Sequence, residues 1–563
     1  MTIERPADAP PRLPWLPRPN FWGGISVAAI LLFLAFLVYP LLNLVISSML
    51  TDTVSDKTVL DIYRELFTVP YYYEALLNSL LLGACATVAA LLVGVPLAYC
   101  VTRFNIPGKL FIRAAVVLTF ISPPFIGAYS WVLLLGESGV LRVPFAAIGF
   151  SPPTVYGWPG LILVLTLQGL PFVFLMVSSA LRTVDQSIED AAISLGRRPF
   201  QVVTTAILPL IAPGVSTGAL LVFVTSFSDI GTPAIIGQNI RVFPRLIYGE
   251  FINETSAGDY RTASALSVVL LVVCVGALLI QRWYSTVRSY GQETVRPLGV
   301  RRLTGTHRFL ASAFVYLVIA LACLPILTVI VTSFLRTEKS VITPEFTLDG
   351  YLNAPRLLSS LTNTLLFTTV ATVVCVFAGC LIGYVIARRT NRLGPVIDVF
   401  SMIPYAVAGV VLGLAFSLTF GGSPYFLAGT MTILVLAYFI RRLPYSIRSV
   451  TGMLSQIGRQ TEEASVNLGV PPGQTFWRIT FPMMMPAVVS GALITWATIA
   501  REFNATIILY GSSTQTMSVE VFREVIAGNF GNASVVGTVL IAVSLVPIVI
   551  LFKVLGKDED FLV

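Results

Sequence analysis

Glu189-Asp190-Ala191-Ala192-Ile193-Ser194-Leu195-Gly196 and Glu462-Glu463-Ala464-Ser465-Val466-Asn467-Leu468-Gly469 decide how this chain is read. A proline stands thirteen residues past each closing glycine, in Leu208-Pro209 and in Phe481-Pro482. The two stretches lie 273 residues apart in a chain of 563. Both are polar islands in apolar surroundings.

Hydrophobic residues make up 56% of the chain and charged residues 11%, with a mean hydropathy of +0.84. About a quarter of the residues of a soluble domain are charged. This chain cannot cover itself with water-compatible surface, so lipid is its solvent. The six cysteines, at 85, 100, 274, 323, 375 and 380, fall in apolar segments and form no CxxC pair. They read as small packed hydrophobes, with no metal or disulfide role. Residues 1–20 hold six prolines, which exclude a regular helix and predict an extended tail. Crossing hydrocarbon as a helix takes roughly 20 apolar residues. Twelve such runs follow, at about 21–47, 76–101, 114–135, 159–181, 210–229, 262–281, 309–334, 360–387, 395–419, 425–440, 486–508 and 533–552.

Lys and Arg orient the chain, because they collect on the cytoplasmic side. With the N-terminus inside, the tail and segments 102–113, 182–209, 282–308, 388–394, 441–485 and 553–563 hold 25 of the 36 basic residues. Both termini and both islands are then cytoplasmic. The net charge of +8 becomes a topology signal, and no nucleic-acid partner is needed. Segment 282–308 is basic and carries the only histidine, His307, which reads as solvated in a linker.

The chain also repeats itself. Asn78, Tyr99 and Arg103 match Asn363, Tyr384 and Arg388 at an offset of 285. Gly196, Pro209 and Pro213 match Gly469, Pro482 and Pro486 at 273. A longer outer loop at 136–158 accounts for the change of offset. The expected organisation is a tail at 1–20, a first repeat at 21–281, a linker at 282–308 and a second repeat at 309–563. Six spans per half make the repeats parallel, with a substrate path expected between them. The fold class is thus an all-α integral membrane protein of 12 transmembrane helices in two parallel six-helix repeats.

Each island reads as a short helix with acids in its first turn, where they complement the helix dipole. Gly196 and Gly469 suit the position just past its end. A second short helix follows, and Pro209 and Pro482 are expected to open the next span. Exposed Ile193 and Leu195 call for a partner surface.

Acid-Ala-Ala, three residues, Gly, and a Leu-Pro pair resembles the "EAA" loop of the permease subunits of bacterial ABC importers. Asp190, Ser465 and Phe481 depart from the usual residues. The resemblance spans both halves and implies the type I importer permease fold in the bacterial inner membrane. It implies that Glu189, Asp190, Ala191, Ala192 and Gly196, with Glu462, Glu463, Ala464 and Gly469, couple the chain to two copies of an ABC ATPase subunit. It also implies an extracytoplasmic substrate-binding protein as a further partner. No GxxxxGK[ST] phosphate loop is present. The chain is therefore expected to have no catalytic residues, no metal and no cofactor of its own, with ATP-Mg held on the partner subunits.

A fused twelve-span permease most resembles the ferric-iron uptake type. Thiamine, 2-aminoethylphosphonate and polyamine systems are alternatives, and an ion-gradient-driven secondary transporter is the alternative of another class. The span after each island bears on cargo. Ionisable residues inside a span are functional by default. Asp229, matched to Glu502, is expected to line the central path together with Arg501 and Asn504. The competing reading makes them helix ends at the interface. Carboxylates suit a hard cation, whereas Arg501 suits an anion.

Overall fold

The computed structural model describes residues 21–49, 59–137, 139–142, 149, 154–257, 260–287, 299–338, 341–354, 356–388 and 393–555. The tail at 1–20 and the end of the chain at 556–563 lie outside these residues. So does the middle of the linker, 288–298.

The first half runs α1 (Phe21–Met49), α2 (Val59–Thr68), α3 (Pro70–Arg103), α4 (Lys109–Ile121), α5 (Pro124–Leu135), α6 (Trp158–Arg182), α7 (Gln186–Ser194), α8 (Pro199–Phe227), α9 (Gly231–Ile236), α10 (Phe243–Ala257) and α11 (Arg261–Val287). The second half opens with α12 (Gly305–Thr332), the strands β1 (Leu335–Glu338) and β2 (Val341–Phe346), and α13 (Asp349–Asn353). It continues with α14 (Leu357–Arg388), α15 (Gly394–Ala406), α16 (Gly409–Phe420), α17 (Met431–Gln456), α18 (Gln460–Asn467), α19 (Pro472–Ala500), α20 (Thr506–Leu509), α21 (Met517–Ile526) and α22 (Phe530–Leu555). From α3 onward the second half repeats the first, element by element.

Nine helices among the described residues are long and apolar enough to cross a membrane: α1, α3, α6, α8, α11, α12, α14, α19 and α22. The third and ninth expected spans are broken. α4 and α5 meet at 101°, and α15 and α16 at 107°. Both pairs nevertheless carry the chain across. Arg103 closes α3 and bonds to α7, and α6 ends just before α7. At 25 residues, α6 is about 37 Å long at 1.5 Å per residue, so it starts on the far side. The chain leaves the α7 side at Arg103 and is on the other side at Trp158, so α4 and α5 form one bent crossing. The same holds for α15 and α16 between Arg388 and α17. It follows that α17 crosses too, although Arg441, Arg442 and Arg448 disqualify it on apolarity alone. Counted with the two bent pairs and α17, the crossings among the described residues number twelve, with the tenth moved from 425–440 to Met431–Gln456. The eleventh was expected to run from 486 to 508, but α19 ends at Ala500.

The breaks have local causes. Pro123 and Pro124 follow Ser122, and a proline drives the residue before it out of the helical region; Ser122 is extended. At the second break Val407 and Ala408 are extended. A Cβ on Gly409 would overlap the Arg441 guanidinium and lie 2.8 Å from Asn504 Cβ, so glycine leaves both side chains their places.

Pro209 and Pro482 do not open new helices. The second short helix of each hairpin continues into the span through a π turn, Val203–Ile207 and Phe476–Thr480. A proline ring clashes with the carbonyl four residues back. The wider turn just upstream gives each proline room inside one 29-residue helix.

The first helix of each half packs on the other half. α1 lies against α14, α15 and α16, and α12 lies against α3, α4 and α5. α11 runs on to Val287 and α12 starts at Gly305, inside the segment read as linker, and His307 is exposed on α12. Among the described residues β1 and β2 depart from helix, forming an antiparallel ribbon with Leu335 opposite Phe346, bulged near Thr337. It follows α12, which begins beside the hairpins and crosses, so the ribbon lies on the side opposite the hairpins. All six cysteines are free; Cys274, Cys375 and Cys380 are buried as expected, whereas Cys85 is exposed at the periphery.

Candidate coupling hairpins and translocation cavity

The two islands form matching hairpins. α7 ends in a Schellman turn: Gly196 N–H donates to the Ile193 carbonyl at 2.9 Å and Arg197 N–H to the Ala192 carbonyl at 3.2 Å. α18 ends the same way, with Gly469 N–H to Val466 at 3.0 Å and Val470 N–H to Ser465 at 3.2 Å. Gly196 has φ +79° and Gly469 φ +86°, the left-handed region where a side chain is strained.

The first acid of each hairpin points inward. Glu189 is 3% exposed and pairs with the fully buried Arg103 of α3, with Arg301 beside it at 3.6 Å. Glu462 accepts from Arg388 Nε of α14 at 3.0 Å and from the Tyr384 hydroxyl at 3.0 Å. Asp190, Ala191, Glu463 and Ala464 face outward and Ala192 is half-buried. Leu195 and Leu468, each before its glycine, are both 84% exposed. Each hairpin is therefore bolted to the long helix three elements or more upstream and presents a bare leucine at its tip. Tyr99, Arg103, Tyr384 and Arg388, seen in the sequence only as marks of the repeat, include the bolts.

The hairpins differ in their neighbours. The end of the linker threads past the first: Arg301 N–H donates to the Arg103 carbonyl at 2.7 Å and Gly299 N–H to Gln186 Oε1 at 2.9 Å. The second is flanked by Trp22 of α1, whose ring lies 4.3 Å from Tyr384 and 5.2 Å from Phe476.

Asp229, Arg501, Glu502 and Asn504 come together in one cavity of about 160 Å³ between the halves. They occupy the turns where α8 and α19 end. The breaks in the bent spans line it as well, through Ser122 and through Val407 and Ala408. Glu502 is buried, bonded to Arg441 at 2.5 Å and to Arg442. Arg501 lies 4.3 Å over the Phe120 ring of the first half. Asp229 accepts from the backbone N–H groups of Gly231 and Thr232, both at 3.2 Å, and so caps α9. On the side away from the hairpins, where α5 leads, Phe125 meets Phe503 at 4.9 Å and Phe503 meets Phe522 at 4.8 Å.

Arg441 and Arg442 are the residues that sequence reasoning missed. Counted as cytoplasmic bases, they sit inside α17 and face the cavity. The repeat carried the signal: at the 273 offset they stand where the first half has Gln168 and Gly169, also lining residues.

The chain belongs to a family of binding-protein-dependent transport system inner membrane components, whose description matches residues 90–286 and 387–558. It is thus a transport subunit, a multi-pass permease of the inner membrane. It is 26% identical over 559 residues to the ferric transport system permease protein FbpB of Actinobacillus pleuropneumoniae, covering 96% of this chain and 79% of that one. To the Fe(3+)-transport system permease protein FbpB 2 of Haemophilus influenzae it is 25% identical over 543 residues, covering 95% and 99%. To the molybdenum transport system permease protein ModB of Mycobacterium tuberculosis it is 30% identical over 221 residues, 38% of this chain and 80% of that one.

Proposed function

We propose that this chain is the fused permease of an ATP-driven importer of ferric iron. Each hairpin receives one copy of an ABC ATPase subunit, ATP-Mg is bound and hydrolysed there, and an extracytoplasmic binding protein delivers cargo to the outer mouth. Both termini face the cytoplasm. The observation that carries this reading is the hairpin pair: two equivalent leucine tips on one side, each behind an acid pinned to a spanning helix. A push on Leu195 or Leu468 reaches α3 or α14 through Glu189 or Glu462, and a rigid hydrogen-bonded lever of this kind has no use in a channel. The full-length likeness to ferric permeases supports iron as cargo.

In this account the chain performs no hydrolysis. Asp229, Arg501, Glu502 and Asn504 line the path between the halves, and the rings of Phe125, Phe503 and Phe522 close it toward the outside. Uptake of labelled iron by cells expressing the chain with its partners tests the reading. Uptake stops on ATP depletion and survives collapse of the proton gradient; the opposite pattern would return the chain to the gradient-driven class.

A further inference from the structure

The cavity's charge is unusual for a path that carries a metal cation. Three guanidiniums, of Arg441, Arg442 and Arg501, line it against the two carboxylates of Asp229 and Glu502. Both carboxylates are engaged, Glu502 by two arginines and the Ala505 N–H, and Asp229 by two backbone N–H groups. Among the described residues no three His, Cys, Asp or Glu side chains gather to hold a metal. A bare ferric ion would meet net positive charge at low dielectric and find no free hard-oxygen cage.

Donors are open there, beside one buried acceptor without a partner, Asn504 Oδ1. Arg501 rests on the Phe120 ring and, among the described residues, makes no ion pair. Arg442 Nε is buried with no acceptor. A buried donor without a partner is costly, and a planar guanidinium forks onto oxyanions in two-pronged fashion. We propose that the cavity takes its cargo as an anion: a free oxyanion, or a ferric ion already wrapped in an anionic oxygen shell. Arg501 is the contacting cation, and Arg441 and Arg442 set the field while Glu502 holds them in place. This rests on the importer reading for the path and refines its cargo.

The test uses proteoliposomes holding the chain with its ATPase and binding-protein partners, supplied with radioactive iron and radioactive phosphate. Equilibrium binding of inorganic phosphate to the purified chain is measured in parallel, so that the result does not depend on transport. The inference expects phosphate to bind, and iron to enter only when phosphate or citrate accompanies it. Arg501→Gln lowers both binding and uptake on the order of tenfold, the scale of one charge-assisted contact. Arg501→Lys keeps most of both, and Phe120→Leu, which removes only the ring, keeps the anion dependence. Iron that enters without any anion, with Arg501→Gln equal to wild type and no phosphate binding, overturns the inference and leaves the importer reading intact. ATP-driven phosphate uptake without iron does the reverse: it ends the ferric reading and supports the anion.

Discussion

The two walls of the central cavity have the same backbone and different charge. In the first half the wall is Gln168, Gly169, Ser228 and Asp229; at the 273 offset the second half presents Arg441, Arg442, Arg501 and Glu502. α6 pairs with α17 and α8 with α19, and each of the latter helices stops at the same point, Phe227 and Ala500. Only the carboxylate position keeps its chemistry, and even there its task differs. Asp229 caps the next short helix, whereas Glu502 neutralises two guanidiniums. The repeat keeps the scaffold in both halves, while the electrostatics differ between them. The cavity is thus lined asymmetrically inside a symmetric frame.

Breaking the charged wall has the largest expected effect. Glu502→Gln leaves Arg441 and Arg442 without their counter-charge, and breaking one side of a buried pair costs about 3–5 kcal/mol. Thermal unfolding of the purified protein in detergent should register a clear drop in midpoint. Gly409→Ala comes next, because its methyl would collide with the Arg441 guanidinium and lie 2.8 Å from Asn504 Cβ. Overpacking of that kind costs about 1–3 kcal/mol, read by the same melt. The change at the matched position of the other wall, Asp229→Ala, removes the carboxylate that caps α9 and costs about 1 kcal/mol. Equal losses for Glu502→Gln and Asp229→Ala would erase the distinction between the walls.

The hairpins were legible because their instructions are local. Gly196 and Gly469 stop a short helix by backbone freedom, and acids in the first turn announce its start. The inward aim of Glu189 and Glu462 was not legible, since it depends on Arg103 and Arg388, more than seventy residues upstream. The broken spans were half visible. Pro123-Pro124 stand in the sequence, but prolines are tolerated in spans and do not by themselves announce a break. Arg441 and Arg442 were misplaced for a physical reason. Bases after an apolar run ordinarily mark the cytoplasmic flank, and what keeps these two inside is Glu502, about sixty positions away. The two first helices exchange between halves, which local patterning does not encode.

The claim that two equivalent hairpin tips receive the ATPase subunits is tested most directly at the leucines. Leu195→Arg and Leu468→Arg, introduced together, put charge on both exposed tips and touch neither the Glu189 nor the Glu462 bolt. Co-purification of the ATPase subunit with the full chain is the measurement. The account predicts that the doubly substituted chain, with an unchanged melt, comes down without ATPase. An ATPase retained at the wild-type ratio would contradict it.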